Sequence, residues 1–280
     1  MEHVAGPDVG EAPARSGAAR GCSLLAVDLG NTTTRLGAFL DDDLLGTWEL
    51  TTPAALTADE ACSHVCRALS MLGIEAPTES ILASVVPSLT DSWRSALGRM
   101  CSGRTYVVGP GLKSGLRMRI DDPSEVGADR VADAVAARDA YGSPVVVVDL
   151  GTTTNIEVID ADGAFAGGVI APGVALGARS LAAAAARLPV IELRAPAKVI
   201  GRNTRAAMQS GVVLGEVARI DGLLRAVMAE LGQSAPVVVT GDGAAGLAPL
   251  LAHEVTVDDT LTLRGLHRIW AHGAPARSRR

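Results

Sequence analysis

The chain has 280 residues, 48% of them hydrophobic but only 2% aromatic, and a formal net charge of -6 at pH 7. That content allows an aliphatic core for one large domain or two ordinary ones, and no apolar run approaches the roughly 20 residues that cross a bilayer. The acidic balance excludes a basic, sequence-independent nucleic-acid surface, and the closing Ala-Arg-Ser-Arg-Arg run is too short to reverse it.

Residues 1–22 are rich in Ala, Gly and Pro without periodicity and read as a disordered extension. Strands follow at 23–28, 35–40 and 44–51, with three Asp at 41–43 marking a hairpin turn. Thr57 and Glu60 form a capping box ahead of a helix at 58–72. A strand at 80–85, a helix at 89–100 and a strand at 105–108 come next. Residues 109–122 read as a loop or irregular hairpin, and 127–141 as an Ala-rich helix. The second half repeats the order, with strands at 145–149, 155–160 and 164–170. Helices at 175–187 and 205–231 flank a loop at 188–204. A strand at 237–240, a helix at 244–252, a short strand at 255–257 and a helix at 263–271 complete it, and 273–280 is a basic tail.

Cys22, Cys62, Cys66 and Cys101 are unevenly spaced within the first half and make no disulfide framework. On a helix Cys62 and Cys66 share a face while His64 points away, so the trio does not converge on a metal. It reads as two core-facing thiols and an exposed His. With no secretory signal the chain reads as cytoplasmic, without a membrane or nucleic-acid partner.

The chain nearly repeats itself: LLAVDLGNTTTRLG at 24–37 and VVVVDLGTTTNIEV at 145–158. Self-similarity over so long an interval indicates duplicated domains, placed at 23–142 and 143–272. The element order matches the ribonuclease-H-like α/β unit, and two in tandem make the actin-like ATPase architecture with a nucleotide cleft between them. In the first copy Asp28 can hold hydrated Mg²⁺. Gly30 permits a sharp turn and close approach, and Asn31 and Thr32 offer donors. In the second, Asp149, Gly151 and Thr152 with its neighbouring threonines can bind a cation or terminal phosphates from the opposite side. Each turn alone also suits an ordinary hairpin; two copies with Asp and Gly in register favour function.

The stretch PSEVGADR at 123–130 opens a helix. There Asp129 can accept a hydroxyl proton during phosphoryl transfer, and Arg130 can clamp a carboxylate or phosphate with two parallel hydrogen bonds. The plainer alternative is a helix start with a surface charge. In VIGRNT at 199–204, Asn203 or Thr204 caps a helix, or Thr204 offers its hydroxyl to a ligand; the pattern leaves both open.

Taken in order, DLGNTTT, VGPGLKSGL, PSEVGADR, VVDLGTTTN, GGVIAPGV, RLP, VIGRNT with MQSG, and LTLRGL resemble the type III pantothenate kinase family. The resemblance implies ATP-dependent phosphorylation of pantothenate to 4'-phosphopantothenate, the first step towards coenzyme A. It further implies Mg²⁺, a monovalent cation (K⁺ or NH₄⁺) and a homodimer. Carried over by position, it implies ATP contacts at Asp28, Leu29, Gly30, Asn31, Thr32, Thr33, Thr34, Arg35 and Thr152, with the monovalent cation at Asp149. Pantothenate contacts fall at Gly127, Ala128, Asp129, Arg130 and Thr204, with Asp129 the general base. Asp28 thus belongs to the nucleotide-phosphate and Mg²⁺ side, Asp149 to the monovalent side. Three positions depart from the family pattern: Ile120 stands where many members have Tyr, Asn155 replaces a Thr, and a late TGG-L pattern appears as TGDGAAGL at 240–247. The alternatives are a non-catalytic regulatory relative that binds nucleotide or pantothenate, and an actin-like kinase for another small hydroxylated acid.

Overall fold

The computed structural model describes residues 19–109, 112–184 and 187–273. The first 18 residues of the expected extension and all but the first residue of the expected tail lie outside them. Residues 19–22 are already tied down. Arg20 N–H donates to Gly73 O (3.0 Å), Glu75 N–H donates to Arg20 O (2.9 Å), and Cys22 is buried.

Two sheets of similar plan organise the chain. In the first, β1 (Leu24–Leu29), β2 (Thr33–Leu40) and β3 (Asp43–Thr51) form an antiparallel meander. Strands β4 (Glu79–Ser84) and β5 (Thr105–Val107) add in parallel beyond β1, giving the order β3-β2-β1-β4-β5. Helices α1 (Ala58–Leu72) and α2 (Pro87–Met100) supply the crossovers. The second sheet repeats the plan with β7 (Val145–Leu150), β8 (Thr153–Ile159), β9 (Ala164–Pro172), β10 (Val237–Thr240) and β11 (Thr256–Val257). It gains an edge strand, β6 (Arg117–Met118), which pairs with β9 in parallel. Part of the expected loop or irregular hairpin at 109–122 is thus a strand of the second sheet, a pairing too short to leave an alternating pattern.

Both central strands are buried on both faces, which is why they read as unbroken apolar runs. Leu25, Val27 and Leu29 of β1 face α1 and α2 in a core with Val65, Leu89 and Trp93. Leu24 and Ala26 face the other way, into a middle layer made by α3 (Ala128–Tyr141) and α8 (Leu261–Gly273). That layer also receives Val145 and Val147 of β7, while Val146 and Val148 point to a third core with Val217, Ile220 and Leu224. The two-residue period thus splits each strand between two cores. At Gly265 a side chain would collide with the Ala132 carbonyl, so glycine lets the α3 and α8 backbones touch.

The Thr57–Glu60 capping box forms as expected, and the expected helix at 244–252 is a shorter α7 (Ala244–Leu247) followed by a 3₁₀ turn (Ala248–Leu250). The expected helix at 205–231 is instead α5 (Thr204–Gln209), a π-helical turn (Ser210–Leu214) and α6 (Gly215–Leu231). The irregular turn comes just before Glu216, whose buried carboxylate accepts the Thr154 hydroxyl (2.6 Å) and pairs with Arg219. Asn203, not Thr204, caps α5, its Oδ1 accepting Ala206 N–H (2.8 Å). Helix α4 (Val174–Ala184) has no buried residue, and the segment after it exposes Val190, Leu193, Val199 and Ile200.

The cysteine expectation needs correction. The buried stripe of α1 runs through Ala61, Val65 and Ala68, so Cys62 lies at its margin and Cys66 is exposed. His64 is half-buried, and all four thiols are free. No described helix is long and apolar enough to cross a membrane.

Candidate active site

The two Asp-Leu-Gly turns meet tip to tip. The Thr32 and Thr152 hydroxyls lie 2.7 Å apart, joining turns that are 120 residues apart in sequence. Below them is a cleft lined by both turns, by the first turns of α3 and by the loop after β10. Five aspartates line it, Asp28, Asp129, Asp133, Asp149 and Asp242, against one cation, Arg35.

The turns differ where their sequences look alike. In the first, Asp28 pairs with Arg35 across the β1–β2 ladder; in the second, Asp149 pairs with Asn155 across β7–β8. The first hairpin is one residue longer, so an arginine faces Asp28 and a neutral amide faces Asp149. The closing glycines differ too. A Cβ on Gly30 would sit 2.8 Å from Thr33 O, whereas one on Gly151 would meet nothing closer than 3.8 Å.

Asp28, Gly30, Asn31, Thr32, Thr33, Arg35 and Thr152 all line the cleft, as does Asp149. Leu29 and Thr34 do not. Leu29 is fully buried in the outer core, and the Thr34 hydroxyl meets that of Thr52 (2.8 Å). In the second copy Thr154 likewise turns inward to Glu216.

Asp129 enters from the first turn of α3. Its Oδ1 accepts the Arg130 backbone N–H (2.8 Å), and Gly127 leaves room for that carboxylate, because a side chain there would strike it. Arg130 points away from the cleft: its Nε donates to the buried Glu157 carboxylate (3.0 Å) and its guanidinium lies over the Phe165 ring. Nearby, Gly168 is required by the Ile156 carbonyl, into which a Cβ would collide, and the same point lies 2.9 Å from the Arg130 fork. Arg130 also borders a second cavity with Ile120, Val126, Phe165 and Ile170. Ala128 is buried beneath the α3 turn. Thr204 is exposed and lines neither cavity.

Burial raises Asp28, Asp129, Asp133 and Asp149, and neighbouring carboxylates add to it at all but Asp129. Burial, then the charges of Asp129 and Asp149, push Asp28 up to about 7; burial and Asp129 push Asp149 up to about 6. Burial raises Asp129, and raises Asp133 well above the usual range with help from Asp149 and Glu157. Glu157 is pushed up to about 8 by burial despite Arg130. Two buried oxygens at the cleft, Oδ1 of Asp133 and Oδ1 of Asn155, have no hydrogen-bond partner. A cleft with surplus buried carboxylates and unpaired oxygens suits hard cations bound through oxygen. No three His, Cys, Asp or Glu among the described residues form a ready-made ligand set.

Sequence reasoning missed Asp133, Glu157 and Asp242. Asp133 follows Asp129 by four residues and so shares its helix face. Glu157 is a lone charge inside an apolar strand, and Asp242 follows a buried strand at the carboxyl edge of a sheet, where open α/β sheets bind ligands. Each left a readable signal.

A family model described as type III pantothenate kinase matches residues 24–226. The chain is 42% identical over 253 residues to the type III pantothenate kinase of Dehalococcoides mccartyi, covering 88% of this chain and 96% of that protein. It is 40% identical over 245 residues to the one from Thermomicrobium roseum, covering 87% and 95%. Among solved structures, a conserved putative Baf family transcriptional activator from Campylobacter jejuni aligns with a TM-score of 0.59 at 19% identity, covering 89% of this chain and 98% of that one. The ethanolamine utilization protein EutJ from Carboxydothermus hydrogenoformans aligns at 0.53 and 19%, covering 88% and 89%. These two share the fold.

Proposed function

We propose how this chain, which belongs to the type III pantothenate kinase family, carries out ATP-dependent phosphorylation of pantothenate in the acidic cleft. The observation that carries the reading is the position of Asp129, held at the opening of α3 and facing the cleft where the two turns meet. The first turn would receive the nucleotide phosphates through Asn31, Thr32, Thr33 and Arg35, with Thr152 reaching them from the second. Pantothenate would lie beside Gly127, Ala128, Asp129 and Arg130, its hydroxyl directed at the free oxygen of Asp129. Asp129 would take the hydroxyl proton as the oxygen bonds to the terminal phosphorus and the bond to ADP breaks. Burial raises Asp129, which makes it a better proton acceptor than an exposed carboxylate.

Membership of a kinase family implies ATP and a divalent metal, and Asp28 would hold the metal. When bound, Mg²⁺ supplies positive charge that offsets the phosphates. We assign the monovalent cation to the second turn, where Asp149 faces the neutral amide of Asn155 across the ladder. The exposed apolar side chains of α4 and the segment after it support a homodimer, a second copy covering them. Because curated relatives about 40% identical over most of the chain are named as kinases, the non-catalytic alternative is not favoured.

The test is ADP release, measured by a coupled assay across pantothenate, pantetheine and several sugars. ADP should appear with pantothenate, need Mg²⁺ and rise with potassium. Binding of pantothenate without ADP release would overturn the reading, and a preference for a sugar would reassign the substrate.

A further inference from the structure

We propose that Asp242 sets nucleotide affinity by holding, across the cleft, the two side chains that would receive the phosphates. This rests on the reading that Arg35 and Thr33 are phosphate contacts. Asp242 belongs to the loop after β10, in the second sheet's half, while Arg35 and Thr33 belong to β2 in the first. Its Oδ1 is paired with the Arg35 Nη2, and its Oδ2 accepts the Thr33 hydroxyl (3.2 Å). Both oxygens of one carboxylate are therefore engaged by the first turn. Glu49 takes the Arg35 Nε (3.1 Å), so the guanidinium is divided between two carboxylates.

A carboxylate and a phosphate present similar oxygen pairs to a guanidinium, so they compete for the same fork. The backbone of Asp242 is pinned, whereas its side chain is half exposed. Gly241 adopts a φ of 89°, packs against Asp149, and has no room for a side chain. On the other side, Gly243 N–H donates to Leu150 O (2.8 Å). The Asp242 side chain keeps 50% of its exposure, so it can swing to water as a phosphate arrives. The same residue also borders an apolar cavity with Val213, Leu247 and Leu250, placing it at the junction of two spaces. It is the acid of the TGDG sequence, a negative charge in a cleft proposed to receive a polyanion.

Calorimetric titration of the full chain with a non-hydrolysable ATP analogue and Mg²⁺ tests this. Asp242→Asn and Asp242→Gly should each tighten binding about tenfold, because a like charge opposing the ligand is removed. Arg35→Ala should weaken binding, and in that background Asp242→Asn should lose most of its gain. In steady state, Asp242→Asn should lower the ATP KM by a larger factor than it changes kcat. Thermal melts of the near-isosteric Asn variant check that the fold is kept. Unchanged or weaker binding in both Asp242 variants, with Arg35→Ala weakened, would overturn the role of Asp242 alone. If Arg35→Ala leaves binding unchanged, the phosphate assignment itself fails.

Discussion

The two Asp-Leu-Gly turns are near-copies in sequence and unequal in structure. One extra residue in the first hairpin puts Arg35 opposite Asp28, while Asn155 stands opposite Asp149. The repeated turn supplies two places for negative ligands and cations to meet, and a one-residue change in register decides which side chain each carboxylate faces across its ladder. A guanidinium beside the first carboxylate suits phosphate; a neutral amide beside the second suits a bare cation.

If that difference matters, equal substitutions should have unequal consequences. Asp28→Asn should lower turnover about a hundredfold, whereas Asp149→Asn should lower it about tenfold and abolish stimulation by potassium. Assays with and without potassium compare them, and matching losses would break the distinction. The glycines sharpen it through stability. Gly30→Ala places a methyl 2.8 Å from a backbone oxygen and should lower the melting temperature by about 5 °C, while Gly151→Ala, with 3.8 Å of clearance, should move it by about 1 °C or less.

The last test is in pH. In the folded chain Asp28 and Asp149 hold protons up to about 7 and about 6, which an unfolded chain releases near 4. The folded state binds more protons across that interval, so stability falls as pH rises from about 4 to about 7 and is highest below it. Without cations, the melting temperature should therefore be several degrees lower at pH 8 than at pH 5. Mg²⁺ and potassium should reverse most of that loss at pH 8 and little of it at pH 5. A melting temperature that rises with pH would contradict the burial of these groups.

Much of the fold was legible because its strands and helices carry clear periods: β1 and β7 as apolar runs, α1 through its capping box. The edge strand β6 was not, since two residues carry no period. The π turn before Glu216 was hidden because a one-residue irregularity barely disturbs a helical pattern over 27 positions. In the lining of the cleft, Asp28 and Asp149 were legible from the repeated turn, whereas Asp129 was legible only through the family resemblance, its helix-start setting suiting a plain cap as well. The inward turn of Thr34 was not, because consecutive threonines look alike until the strand assigns alternate faces. Asp242 was visible only as a departure, since its partners Arg35 and Thr33 lie more than 200 residues away.

The most direct measurement is ADP release by Asp129→Asn with saturating ATP, Mg²⁺ and pantothenate. If Asp129 takes the hydroxyl proton, turnover should fall about a hundredfold or more, with the circular dichroism spectrum and nucleotide affinity unchanged. Turnover close to that of the parent chain would remove Asp129 from the chemistry and, with it, the reason for placing the reaction at the opening of α3.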